Sequence, residues 1–475
     1  MNAFTYSPDK PTTICALATP AGNGAIAVVR VSGPDSVSVC EKIFEPAGKH
    51  KKLSEEASHT IHLGKIKDEE VMVDEVLLSL FRKPHSYTGE DSVEISCHGS
   101  TYIQQKIIEL LLKYGLQMAR PGEFTLRAFM NGKFDLSQAE AVADLIASRS
   151  RASHQLALNQ MRGGFSNRIK DLRKELLDFA SLIELELDFS EEDVEFADRK
   201  DLRALLLKLK SEIEKLKASF KLGNVMKNGV PVAIIGKPNV GKSTLLNAIL
   251  NEDKALVSEI PGTTRDTIED VLNIQGQSFR FIDTAGLRDS SDKIENMGIQ
   301  RTFEKIDSAK VILYVFDVST TNCQEIKDDL KEFEEHISHL PGSVLKDKKF
   351  ILIANKTDQL VEAPKGFKSL VEMECIFISA KRKENVNLII DKLSTLIEKE
   401  EYEDLSIVSS LRHFEALSKS LEAVEAIEKA FEENLPSDLV AIDIKQALHY
   451  LGEITGQVTT DEILGNIFSR FCVGK

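Results

Sequence analysis

The chain has 475 residues, a hydrophobic content of 42% and a formal net charge of −15, which predicts about three domains of ordinary size with enough apolar material for real cores. No apolar stretch approaches the roughly 18–20 residues that span a bilayer, and the N-terminus lacks a basic-then-apolar signal pattern, so neither a membrane span nor secretion is expected. Six single cysteines, at 15, 40, 97, 323, 375 and 472, contain no Cys-x-x-Cys pair, which argues for a reducing cytosol and against structural zinc; the acidity requires any nucleic acid to meet a local basic patch or a basic partner.

Strand-like runs dominate the first 100 residues: TTICALAT, AIAVVRVSG, VDEVLLSLF and SVEISC. The helical run YIQQKIIELLLKYG follows, so residues 1–120 read as a small α/β domain. Arg30 follows one strand-like run, Glu94 lies in another and Lys133 stands in a loop before a helix; by sequence alone each reads as a surface charge. Ser137 and Glu140 form a Ser-x-x-Glu capping box that opens a helical regime, residues 121–225, with leucines at helical spacing. Near its end ELELDFSEEDVE, from Glu184, carries seven acids and no base. It reads as a solvated helix end rather than a metal site.

Residues 226–402 change character. PVAIIG, from Pro231, is a short apolar run suited to a buried parallel strand, and STLLNAIL, from Ser243, has helical spacing. Between them GKPNVGKST fits Gly-x-x-x-x-Gly-Lys-Ser/Thr, with Gly236, Gly241, Lys242 and Ser243 in register and Asn239, Val240 and Thr244 inside the same box. Glycines let the backbone wrap phosphate oxygens and aim N–H groups at them, Lys242 can reach the outer phosphates, and the Ser243 hydroxyl can ligate magnesium. GTTRD follows from Gly262, with Thr263 and Thr264; Thr264 is a candidate second hydroxyl on magnesium in a switch loop. The strand-like SFRFI leads into DTAG, which places Asp283, Thr284, Ala285 and Gly286 near the terminal phosphate.

Base choice rests on NKTD, after the apolar run FILIA. Asp358 offers two carboxylate oxygens to the N–H edge of guanine, where adenine presents an acceptor instead. Asn355 and Lys356 brace the loop and cover the ring, while Ser379, Ala380 and Lys381, after CIFI, supply a backbone N–H to the guanine oxygen. A P-loop ATPase is disfavoured by Asp358.

Hydrolysis needs a group that positions water and one that neutralises charge on the transferring phosphoryl group. Leu287 directly follows DTAG and cannot orient water as glutamine would. Arg288, Asp289, Asp292 and Glu295 are downstream candidates that spacing leaves as solvated loop charges. Asn239 and the Ser258-to-Gly262 segment add oxygens near the phosphates, able to hold a monovalent cation.

From about Ile407 the helical regime returns, residues 403–475, with Thr459 and Glu462 as another capping box before ILGNIF. Because neither helical flank has the sheet or length of an independent unit, they are expected to pack as one bundle carrying the nucleotide domain as an insertion. The chain closes in FCVGK. That tail, the GTPase boxes, ATPAGNGAIAVVRVSG and RPGEFTLRAFMNGKFDLSQAEAVADLI, from Arg120, together resemble the MnmE (TrmE) family of tRNA modification GTPases over essentially the whole chain. Val473 stands where isoleucine is more usual.

The resemblance implies a multidomain α/β plus all-α fold: an N-terminal α/β folate-binding and dimerisation domain, a discontinuous helical bundle and an inserted Ras-like P-loop GTPase domain. It implies potassium-stimulated hydrolysis of GTP, with magnesium at Ser243 and Thr264 and potassium at Asn239, Ser258, Ile260 and Thr263; Ser258 replaces the more frequent threonine but keeps the oxygen. It selects Glu295, twelve residues after Asp283, as the catalytic glutamate. It assigns Arg30, Glu94, Lys133 and Lys475 to 5-formyltetrahydrofolate or a related folate. It further implies a cytoplasmic homodimer that works with the flavoprotein MnmG (GidA), which carries FAD and NADH, to add an aminomethyl or carboxymethylaminomethyl group at carbon 5 of the wobble uridine of certain tRNAs. Cys472 needs a lowered pKa to react, so packing and covalent chemistry both stay open for it. A regulatory switch in ribosome assembly is the alternative function; such a protein usually brings a basic RNA-binding domain and has no need of the terminal Cys-x-Gly-Lys.

Overall fold

The computed structural model describes residues 12–48, 52–188, 199–251, 256–257, 270–282, 306–338, 348–360, 362, 373–396, 406–433, 435–469 and 471–474. The chain divides into two compact units, one of Met1–Ala143, Gln160–Glu214 and Glu415–Lys475, the other of Asp144–Asn159 and Lys215–Phe414.

The first unit opens with β1 (Ile14–Leu17), β2 (Ile26–Ser32), α1 (Ser36–Ile43), β3 (Phe44–Pro46), β4 (Thr60–Asp68), β5 (Val71–Phe81), β6 (Ser92–His98), α2 (Thr101–Lys113) and β7 (Gln117–Met118). The strands form one sheet in the order β3-β4-β5-β6-β2-β1-β7. All pairs are antiparallel except β1 with β7. Alternation puts Val29, Val31, Val76, Leu78, Val93 and Ile95 into one core with Ile107, Leu110 and Leu111 of α2. On the opposite side of β4 and β5, Ile61, Leu63 and Leu77 are exposed, with Leu63 and Leu77 directly paired. β4 is hidden in the sequence because its inward position at 64 is glycine. A Cβ there would stand 2.4 Å from Glu45 O, in the space taken by β3.

Helices follow: α3 (Glu123–Met130), α4 (Leu136–Ala147), α5 (Arg151–Met161), α6 (Gly164–Asp188) and α7 (Arg199–Asn228). The cap of α4 lies two residues before the predicted one. Asp135 Oδ1 accepts from Gln138 N and Gln138 Oε1 from Asp135 N, both at 3.0 Å, so Asp135 and Gln138 form the box and Ser137 is buried inside the helix. In α3 the fully buried Arg127 bonds Glu90 (3.2 Å) and Glu123 (2.8 Å), tying the loop before β6 to the helix.

The second unit contains β8 (Val230–Ile235), α8 (Lys242–Leu250), β9 (Leu256–Val257), β10 (Asp270–Ile274), β11 (Gln277–Phe281), β12 (Val311–Asp317), α9 (Cys323–Ser338), β13 (Lys349–Asn355), β14 (Ile376–Phe377) and α10 (Val386–Thr395). Its sheet runs β14-β13-β12-β8-β11-β10-β9, parallel from β14 through β11. The apolar runs are continuous because both faces are covered: Val232 and Ile234 point into one core, Ala233 and Ile235 into the other.

The chain then returns to the first unit in α11 (Leu411–Glu432), α12 (Ser437–Thr455) and α13 (Asp461–Phe468). Phe179 of α6 meets Phe431 of α11 edge-on at 6.1 Å. Lys208 of α7 bonds Glu175 of α6, and Lys210 bonds Glu428 of α11. Segments from before and after the nucleotide domain thus build one bundle. The cap of α13 is Thr460, whose hydroxyl accepts from Ile463 N (3.3 Å), one residue past the predicted Thr459. Phe468 and Phe471 pack with Leu126 and Leu136, which seats the tail on α3.

Among the described residues, no helix is long and apolar enough to cross a membrane, and no group of three or more His, Cys, Asp or Glu is placed to hold a metal ion.

Candidate functional site

In an open parallel sheet, loops at the carboxyl ends of neighbouring strands converge on a ligand. Here β8, β12, β13 and β14 deliver the phosphate loop, Asp317, Asn355–Asp358 and Ser379–Lys381 to that edge, with Asp317 and Asn355 in direct register.

The phosphate loop leaves β8 through Gly236, at φ 144°, and enters α8 through Gly241, at φ 97°. Side chains are excluded at both: a Cβ at 236 would stand 2.1 Å from Val315 O, and one at 241 would stand 2.4 Å from Asn355 Nδ2. Asn239 is also left-handed, at φ 62°. Val240 is buried and pins the loop to the core, while Lys242 Nζ donates to Gly236 O and Lys237 O, both at 2.8 Å. Ser243 and Thr244 stand in the first turn of α8, whose N–H groups face an incoming anion.

Asn355 joins three loops. Its buried Nδ2 donates to Val240 O (2.8 Å), and its Oδ1 accepts from Ala380 N (3.0 Å). Each such bond, once broken, leaves a buried polar group that costs about 1–3 kcal/mol. Lys356, at φ 67°, pairs with Asp317 at 2.7 Å. Burial pushes the Asp317 carboxyl up, but the Lys356 ammonium and the Ser319 donors outweigh it and leave the group below its usual value. Asp317 was missed in the sequence; the available signal was an acid closing the apolar run VILYVF. Asp358 accepts from Ser379 Oγ (2.7 Å), and that bond, with Arg382 and Lys381 nearby, holds its carboxyl below the ordinary range. Ser379 is fully buried and also accepts from Arg382 N (3.2 Å), which closes the turn carrying Ala380 and Lys381.

This edge can receive a triphosphate at one end and a purine with adjacent N–H donors at the other. Ser258, Ile260, Thr263, Thr264, Asp283, Thr284, Ala285, Gly286 and Glu295 lie outside the described residues, as do the other downstream candidates Arg288, Asp289 and Asp292.

The first unit holds a second constellation. Arg30 of β2 and Glu94 of β6 are in register and bond at 2.9 Å, with side chains 15% and 29% exposed. The Arg30 guanidinium lies 5.1 Å from the Tyr87 ring centre and 5.7 Å from that of Phe124, and it donates to Gly474 O at 3.3 Å. A side chain at Gly474, φ 94°, would stand 2.2 Å from Leu17 O, so the tail lies directly on β1. Lys133 Nζ donates to Pro84 O (3.1 Å), on the segment that carries Tyr87. Lys475 lies outside the described residues. Of the cysteines, 15, 40 and 97 are buried and Cys472 is exposed; burial pushes the Cys15 and Cys97 thiols up to about 11.

Residues 13–133 match the family described as GTP-binding protein TrmE N-terminus, and residues 136–472 match the MnmE helical domain. A tRNA modification GTPase MnmE of Flavobacterium psychrophilum is 54% identical, covering 98% of this chain and 99% of that protein. One of Christiangramia forsetii is 52% identical over the same shares. Among solved structures, the G domain of the T. maritima FeoB iron transporter is similar over 36% of this chain and 99% of its own, at 23% identity and a TM-score of 0.24. With its nucleotide edge and its tail-capped N-terminal sheet, the chain belongs to the MnmE (TrmE) family and is a GTPase.

Proposed function

We propose that this chain hydrolyses GTP to drive modification of carbon 5 of the wobble uridine in certain tRNAs, adding an aminomethyl or carboxymethylaminomethyl group together with an MnmG (GidA) flavoprotein that carries FAD and NADH. The observation that carries the reading is Asn355, one side chain that couples the phosphate loop to the guanine-reading loops, in a chain whose relatives are named as tRNA modification GTPases. Nucleosides of tRNA from cells lacking the gene test it. Loss of the wobble modification is expected, and an unaltered nucleoside profile would remove the reading.

Lys242 and the N–H groups of the loop hold the phosphates, and Asp358, with a backbone N–H of the Ser379–Lys381 turn, selects guanine. Ser243 and Thr264 would hold magnesium, which supplies positive charge beside the phosphates. Asn239 makes no hydrogen bond to another described residue, so its carbonyl is available to potassium, with oxygens of Ser258, Ile260 and Thr263. Glu295 positions the attacking water, through a second water, and no arginine is required.

The Arg30–Glu94 pair beside Tyr87 and Phe124 suits a folate such as 5-formyltetrahydrofolate: a flat ring against aromatic walls, N–H groups toward the carboxylate, and acid groups toward Arg30, Lys133 and Lys475. Deleting Lys475 is expected to weaken folate binding about tenfold, as loss of one charge-assisted bond of about 1.5 kcal/mol or more, while GTP turnover persists. Equal calorimetric affinities would count against this assignment.

The protein is read as a cytoplasmic homodimer. Ile61, Leu63 and Leu77 give the N-terminal sheet an apolar outer strip suited to a second copy, and GTP hydrolysis would then move two GTPase domains together. A single-chain mass in light scattering would remove the dimer.

A further inference from the structure

Away from both sites, a cleft of about 480 Å³ lies in the second unit, where the α4–α5 connection meets the β10–β11 turn, and Ser148, Arg149, Arg151, His154, Asn273 and Gly276 are among its walls. The turn is tight, with Gln275 at φ 50° and Gly276 at φ 87°. Gly276 O accepts from Ala152 N at 3.3 Å, and Asn273 Nδ2 donates to Arg149 O at 2.7 Å. A Cβ added at Gly276 would stand 3.2 Å from Arg151 Cβ. The backbone beneath both arginines is therefore anchored to the hairpin. Their side chains are exposed and form no ion pair with another described residue.

The cleft walls contain no carboxylate, in a chain of net charge −15. At the start of α5, Ala152 N serves Gly276 O and Ser153 N donates to Ser150 Oγ (3.1 Å), and just before the helix Arg149 N and Ser150 N donate to Ser153 Oγ (3.2 and 3.1 Å). Binding of an anion thus falls to the side chains. Apart from His154 the walls carry no aromatic or large apolar group, so nothing there stacks on a base. Two planar forks in an open cleft suit successive phosphodiesters, which position a nucleic acid without reading its sequence.

We propose that this cleft grips the sugar–phosphate backbone of the tRNA, with one phosphate against each of Arg149 and Arg151 and an imidazole N–H from His154. The proposal rests on the tRNA reading above and names where an acidic protein meets its polyanionic substrate.

The test measures tRNA affinity of the full chain against salt for the wild type, Arg149→Ala/Arg151→Ala, Arg149→Gln/Arg151→Gln, and a charge-matched control, Lys327→Ala/Lys331→Ala on α9. GTP turnover serves as the check of folding. Each phosphate contact contributes about 0.7–0.9 to the slope of log affinity against log salt, so both arginine variants are expected to lose about 1.4–1.8 of slope and roughly tenfold or more in affinity. The control pair and GTP turnover are expected to stay near wild type. If the arginine variants keep the wild-type slope, or lose no more than the control pair, the cleft is not the contact and the tRNA reading stands without it. If the wild type itself binds no tRNA, the cleft proposal falls, while the tRNA reading, in which the partner can hold the tRNA, is decided by the nucleoside profile.

Discussion

Asp358→Asn is expected to weaken GTP binding by about 10²–10⁴-fold, because two charge-assisted hydrogen bonds to guanine, each of about 1.5–3 kcal/mol, are lost or reversed. An amide offers one acceptor and one donor group where the carboxylate offered two acceptors. Xanthosine triphosphate, with an oxygen in place of the exocyclic amine, should therefore recover much of the lost affinity. Titration with both nucleotides checks this, and equal GTP affinity in variant and wild type would show that the purine is read elsewhere. The Ser379 bond keeps Asp358 ionised to lower pH than an ordinary carboxylate. Its contribution to nucleotide binding is thus fully present at neutral pH and is lost only as pH falls through that lowered pKa.

Glu295→Ala is expected to leave GTP affinity within a few-fold of wild type and to slow single-turnover hydrolysis by about 10²–10⁴-fold, the span associated with a positioned acid–base group. The separation of the two effects is the diagnostic. A residue that reads the base does so in ground and transition states alike, so its loss falls on binding; a group that orients water acts on the reacting phosphoryl and falls on turnover. Unchanged hydrolysis would remove Glu295 from the mechanism and return attention to the other charged residues after DTAG.

The nucleotide edge was legible because its chemistry is local: a glycine turn between an apolar run and a helix fixes its own geometry, and Asn355, Lys356 and Asp358 fall within one short segment that begins at a strand end. What the boxes hid was their bracing. Asp317 reaches Lys356 only through strand register, and the Asn355 bond to Val240 spans 115 positions, so neither could be read from spacing. The helix caps slipped for a related reason. Ser137 and Glu140 satisfy the capping pattern as well as Asp135 and Gln138 do, and the burial of Ser137 inside the helix, with the reciprocal Asp135–Gln138 bonds, decides between them. β4 escaped notice because Gly64 replaces its inward apolar residue while Ile61 and Leu63 face out, a choice made by close approach of β3.

The bond from Arg30 to Gly474 O joins positions 444 apart. At a synthesis rate of about 5–20 residues per second, a ribosome makes the second partner roughly 20–90 seconds after the first. The N-terminal sheet can pair all its strands early, yet the seat for Gly474 beside Arg30 and Leu17 stays open until the tail emerges. A translation product ended between the last strand of the sheet and the tail would therefore carry a paired sheet and an open seat on it, a form for quality control to recognise.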